Sequence, residues 1–170
     1  MIDVPVKLWR HLKGVRSRSG ALARAPVVRM EECAYGGMLF HTDVIRRFGV
    51  PDEELVLYAD DTEYSGRISR GGGSILLVRD ALIRDSEPSW NTDGRYSNSL
   101  AMLLRSEGDW RVYYSVRNNV YLATHVWPAN RVLRWLNRQV FVALLWIGSK
   151  ALRRSERYLL LRRAIVDGEK

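Results

Sequence analysis

The sequence is poor in the residues that staple a chain or carry it across a bilayer. A single cysteine, Cys33, stands among 170 residues, so no disulfide closes within the chain, which fits a reducing compartment. The longest uninterrupted apolar run, Val140 to Ile147, is far short of the ~20 residues a membrane span requires. The first residues have no apolar block of the secretory kind, only Val4-Pro5-Val6 and scattered leucines among basic residues, and no signal peptide is expected. His11, His41 and His125 each lack a Cys or His neighbour at metal-site spacing. No Asp-x-Asp triplet occurs anywhere. Acidic residues are almost absent from one stretch: Ala129 to Arg163 holds 9 basic residues and one acid, Glu156. Met1 to Pro128 is nearly balanced, with 17 Lys and Arg against 16 Asp and Glu. The net charge of +8 is therefore concentrated in the C-terminal segment, and points that segment at an anionic partner surface.

What is present reads as a globular chain of mixed strands and helices followed by helices alone. Residues 1–26 are basic and irregular, a leader or loop without a period. Val27 to Met30 and Met38 to His41 are short strand candidates around Gly36-Gly37. Thr42 is placed to cap a helix through Phe48, with Gly49 ending it and Pro51 to Glu54 forming a turn. After an extended approach over Leu55 to Tyr58, Asp60 opens a second helix, with Glu63 three residues on as in a capping box. Gly71-Gly72-Gly73 stops that helix, and Ser74 to Val78 is the strongest strand pattern, with Ala81 to Ile83 extending it after a bend. The glycine run follows a helix instead of opening one, so it reads as a C-cap and not a phosphate cradle.

A polar loop, Asp85 to Asp93, leads to helices over Tyr96 to Arg105 and from a cap at Asp109 to about Trp127, halted by Pro128. Ala129 to Ser149 is strongly helical. Leu133, Leu136, Val140, Leu144 and Ile147 form one stripe, and Arg131, Arg134 and Arg138 another. A last helix runs from about Ala151 to Val166. A basic helix with Trp and Leu on its other face suits an anionic membrane surface; a solvated charged face is the plainer reading. No recognised nucleic-acid-binding motif is present.

The densest chemistry is Tyr58-Ala59-Asp60-Asp61-Thr62-Glu63-Tyr64. Three carboxylates within four residues repel one another, and the free N–H groups and dipole of a helix start offset part of that repulsion. The cluster reads either as an acidic helix cap or as a general base whose neighbours tune its proton affinity.

The residues around it carry a resemblance. Gly36-Gly37-Met38-Leu39-Phe40-His41 precedes a helix ending Arg46-Arg47-Phe48-Gly49-Val50-Pro51; then come Asp60-Asp61-x-Glu63, the glycine stop and the strand, and finally Tyr113-Tyr114-Ser115-Val116-Arg117-Asn118. In order and spacing, residues 30–125 resemble family 2 glycosyltransferases of the GT-A fold, of the rhamnosyl- and galactofuranosyltransferase kind. The resemblance implies an α/β fold, a partial GT-A domain over residues 27–128 with a basic amphipathic helical extension over 129–170. It also implies an inverting transfer of sugar from a nucleotide-sugar to a polysaccharide or lipid-linked glycan acceptor, at the cytoplasmic face of a membrane. Asp61 matches the family's catalytic base. Asp60 would orient it or bind the acceptor, with Glu63, Gly36, Gly37, Trp90 and Arg117 on the acceptor side.

Two departures accompany the resemblance. The nucleotide-binding half and its Asp-x-Asp metal motif are missing before residue 30, so a separate donor-binding half is expected. The family's divalent metal, Mg²⁺ or Mn²⁺, has only Asp85 as a candidate ligand, where relatives commonly place a histidine. The alternative is a non-catalytic module that docks on a membrane or partner through its basic helices.

Overall fold

A computed structural model describes residues 25–55, 57–84, 99–127 and 130–170. They fall into two compact units, parting near residue 85. Residues 1–24, most of the expected leader, lie outside the described residues.

The first unit, residues 25–84, holds β1 (Val27–Met30), α1 (Asp43–Phe48), α2 (Asp60–Arg70) and β2 (Ile75–Val78). The strands pair antiparallel from Val27 opposite Val78 to Met30 opposite Ile75. Both strands were expected from their apolar runs, with β2 beginning one residue later than its pattern; that they pair with each other is a finding of the structure. Met38 to His41 is not a strand: a tight turn closes at Met38 N–H to the Tyr35 carbonyl (2.9 Å), and Leu39 beyond it is 96% exposed. Among the described residues no ladder partner stands beside it to satisfy an extended backbone. Ala81 to Ile83 likewise makes no strand among the described residues.

The helix starts also depart from expectation. Thr42 already has helical dihedrals and makes no side-chain cap. His41 Nδ1 instead accepts from the Asp43 N–H at 3.2 Å. The capping box at Asp60 and Glu63 is not formed: the cap position of α2 is Ala59, in left-handed conformation, with no side-chain cap bond. Among the described residues, Leu55, Tyr64 and Ile68 are this unit's buried large apolar side chains.

The second unit contains α3 (Ser99–Arg105), α4 (Asp109–Tyr121), a π turn (Leu122–Val126), α5 (Arg131–Ala151) and α6 (Ser155–Gly168). The π turn closes through Trp127 N–H to the Leu122 carbonyl at 2.8 Å, and ends the helix just before Pro128, itself outside the described residues. Helices on both sides of residue 128 belong to this one unit. Leu103, Leu104, Val112, Val116, Val120, Phe141, Leu145, Leu161, Ala164 and Ile165 make its core. Small residues allow close approach: a Cβ on Gly148 would fall 2.6 Å from Leu104, and one on Gly168 would strike the Arg117 carbonyl.

The face of α5 that packs inward is Asn137, Phe141, Leu145 and Ser149, a narrow stripe at four-residue spacing. The broader stripe of Leu133, Leu136, Val140, Leu144 and Ile147 faces solvent. Arginines meanwhile turn inward. Arg138 pairs with Glu169 at 2.7 Å, Arg157 with Asp109 at 3.0 Å, and Arg134 donates to the Ala123 carbonyl at 3.3 Å. Among the described residues no helix is long and apolar enough to cross a membrane.

Candidate active site

The acidic helix start is built by a strained turn. Tyr58 and Ala59, neither of them glycine, both adopt positive φ, 66° and 67°. Such residues cost of order 1 to 3 kcal/mol each and persist where the surrounding structure holds them. The turn delivers Asp60 and Asp61 as the first residues of α2, where free N–H groups favour negative charge. Asp61 itself holds one of those free N–H groups. Asp61 Oδ1 accepts from the N–H and hydroxyl of Thr62, at 2.7 and 3.2 Å.

Glu63 takes no part in that pair. It is buried and grips Arg67 in a two-pronged ion pair, Nε to Oε1 at 2.9 Å and Nη2 to Oε2 at 2.8 Å. Arg67 then donates to the carbonyls of Phe48 and Val50, at 2.7 and 2.9 Å, while the Tyr64 hydroxyl donates to that of Gly49 at 3.0 Å. Glu63 therefore fastens the loop after α1 onto α2. Its burial and its partner leave it no reach toward an acceptor.

The segment after β1 lies along α2. Ser65 makes two bonds with the Cys33 backbone: its Oγ accepts from the N–H at 3.0 Å and donates to the carbonyl at 3.1 Å. Gly66 faces the same segment: a Cβ there would be in ordinary contact with Glu32 at 3.5 Å and would meet only the flexible end of Arg70 at 2.7 Å. Glu32, Cys33 and Tyr35 thus enter the field of the aspartates. Burial first, then the charges of Asp60, Asp61 and Glu63, push the Tyr35 phenol up to about 12. Burial also raises the Glu32 carboxyl, against the pull of Arg70, with Glu31 and Asp61 adding to the rise. The Cys33 thiol is raised by burial and by Asp61, opposed by its Ser65 hydrogen bond, and so stays protonated.

Gly37 is required by its turn: its φ is +76°, and an added Cβ would run into Ile83. A Cβ on Gly36 would meet nothing within 4 Å, so that backbone is open to approach. Arg117 belongs to the second unit, where it donates to Asn118 Oδ1 at 2.9 Å and covers the Tyr121 ring at 5.4 Å. Trp90 and Asp85 lie outside the described residues. Among the described residues, no three His, Cys, Asp or Glu side chains come together to hold a metal ion. A cleft in the second unit is lined by Asp109, Arg153, Arg154, Ser155, Glu156 and Arg157.

Sequence reasoning joined Asp60, Asp61 and Gly36-Gly37, and missed Glu32, Tyr35 and Ser65 as their neighbours. The available signal was the Ser65-Gly66 pair, two small residues inside a helix, which marks a face where another backbone comes close. Comparison with protein-family models, curated proteins and solved structures finds no significant match to this chain.

Proposed function

We propose that the chain is the acceptor-side part of an inverting glycosyltransferase of the family 2, GT-A kind, working on a polysaccharide or lipid-linked glycan at the cytoplasmic face of a membrane. The observation that carries this reading is the strained Tyr58-Ala59 turn, which sets Asp60 and Asp61 at the start of α2 within electrostatic reach of Tyr35, the residue before Gly36. An acidic cap with no further task needs no strained turn.

In this mechanism Asp61 accepts the proton of the acceptor hydroxyl as that oxygen bonds to the anomeric carbon. The bond from that carbon to the nucleoside diphosphate breaks, the diphosphate leaves with the electron pair, and configuration inverts. Asp60 orients the acceptor; Glu63 and Arg67 hold the helix start in place. The candidate ligand Asp85 for the Mg²⁺ or Mn²⁺ that the resemblance implies lies outside the described residues, and no step here runs through that metal.

A second feature supports a missing half. Leu76, Leu77 and Val78 of β2 are all exposed, on both sides of the sheet, although a strand apolar at consecutive positions is the pattern of a fully covered sheet. A donor-binding half would supply that cover.

Calorimetry with a nucleoside diphosphate and Mn²⁺ tests the division: the folded chain alone should not bind, and metal-dependent binding would place a donor site here. In the assembled enzyme Asp61→Asn should lower turnover about 100-fold or more. Turnover close to that of the unchanged enzyme would reduce Asp61 to a helix-start charge and leave the non-catalytic reading.

A further inference from the structure

The outward face of α5 is the least expected surface of the molecule. Leu136, Val140 and Ile147 are 43%, 41% and 57% exposed and at 100° per residue form one aliphatic stripe with Leu133 and Leu144. Trp135 and Trp146 stand at the other edge of the exposed face, beyond Gln139, Val132 and Ala143, and each Leu133–Leu144 and Trp135–Trp146 pair is about three turns apart. The helix is about 31 Å long at 1.5 Å per residue. Its inner face is committed to the core through Phe141 and Leu145, so it presents one side only.

Charge identifies what this side meets. Arg131 to Ala151 contains no Asp or Glu. Exposed Arg131 stands at one end, and exposed Lys150 and Arg153 at the other, next to Arg154, which also donates to the Leu104 carbonyl at 3.4 Å. A second copy of the chain is a poor partner: antiparallel pairing sets Arg131 against Lys150, and parallel pairing sets like against like, with no carboxylate on the helix to relieve either. An anionic lipid surface answers every feature, with phosphates for the basic ends, acyl chains for the aliphatic stripe, and a headgroup boundary for the two tryptophans.

We infer that α5 lies flat in the interface of an anionic membrane, its Leu136–Val140–Ile147 face inserted and its Phe141–Leu145 face holding the domain. This differs from docking by a basic face, because Arg134, Arg138 and Arg157 are bonded within the protein. It does not depend on sugar transfer.

The test is co-sedimentation of the full chain with phosphatidylcholine vesicles, with and without phosphatidylglycerol. Quenching of tryptophan by brominated acyl chains is measured in parallel. Binding should require phosphatidylglycerol, and quenching should fall in the Trp135→Phe, Trp146→Phe double variant. Leu136→Glu and Ile147→Glu, at exposed positions that should leave the helical circular dichroism unchanged, should each weaken binding about tenfold or more. Three results would overturn the inference. One is binding that salt abolishes but the glutamate variants leave intact, which is adsorption by charge alone. Another is self-association, lost in Leu136→Glu, without vesicle binding. The third is a folded monomer that binds no vesicle.

Discussion

Tyr35 reports on the candidate site more directly than the aspartates do. Its phenol, raised from 10 to about 12 by burial and by Asp60, Asp61 and Glu63, favours the folded state while protonated. That contribution is complete below pH 10 and is lost as the pH rises through about 12. Removing either aspartate charge by Asp60→Asn or Asp61→Asn should move the Tyr35 titration, followed by NMR of its ring, toward lower pH. An unmoved titration would show that Tyr35 does not face the acidic helix start. Asp167 titrates in the opposite sense. Its carboxylate accepts from Lys170 at 2.8 Å and from the Tyr113 hydroxyl at 2.6 Å, which lower it from 3.8 to about 2. The stability it lends is present above pH 3.8 and is lost as the pH falls through about 2. Asp167→Asn should flatten the decline of the melting temperature over that window.

At the scale of the element, α2 is held by the ion pair that takes Glu63 out of the site. Glu63→Gln keeps the shape but removes the charge that the Arg67 fork matches, and should cost about 2 kcal/mol, read from the denaturant midpoint. Its effect on turnover should come through stability. A large loss of turnover in a fully folded Glu63→Gln enzyme would put that carboxylate back among the acceptor contacts. The same element shows why local pattern misled. Asp60 followed by Glu63 satisfies the capping-box spacing, yet Arg67, four residues on, offers two bonds to Glu63, and the left-handed turn at Ala59 shifts the cap away from Asp60.

Across the whole molecule, the two units differ in how far they bury their apolar residues. The helical unit has ten residues in a continuous core, whereas the strand unit leaves Leu76, Leu77 and Val78 half exposed. Burying a large aliphatic side chain is worth about 1.5 to 3 kcal/mol, so uncovered strands and the outward face of α5 each forgo several kcal/mol. Such surfaces are sites for partners. For β2 the proposed partner is protein, since the open edges of a sheet need hydrogen bonds; for α5 it is lipid, since a helix satisfies its own backbone.

From the sequence alone came the helices and the two apolar runs that became β1 and β2, though not the absence of a strand at Met38 to His41, together with the stopping of α2 at its glycines, the concentration of acid at Asp60 and Asp61, and the charge asymmetry. These are local or compositional properties, readable from spacing and residue type. Which face of α5 turns inward was a tertiary decision. Asn137 and Ser149, polar in sequence, sit in the core on the side where Gly148 lets α3 come close at Leu104, and the richer stripe is left outside. The tertiary structure likewise set Tyr35 and Glu32 beside the aspartates, across some 25 residues of chain. It put Glu63 in the hands of Arg67 and strained the turn at Tyr58-Ala59. Those depend on which backbone segments approach one another, and helical or strand periodicity carries no information about that.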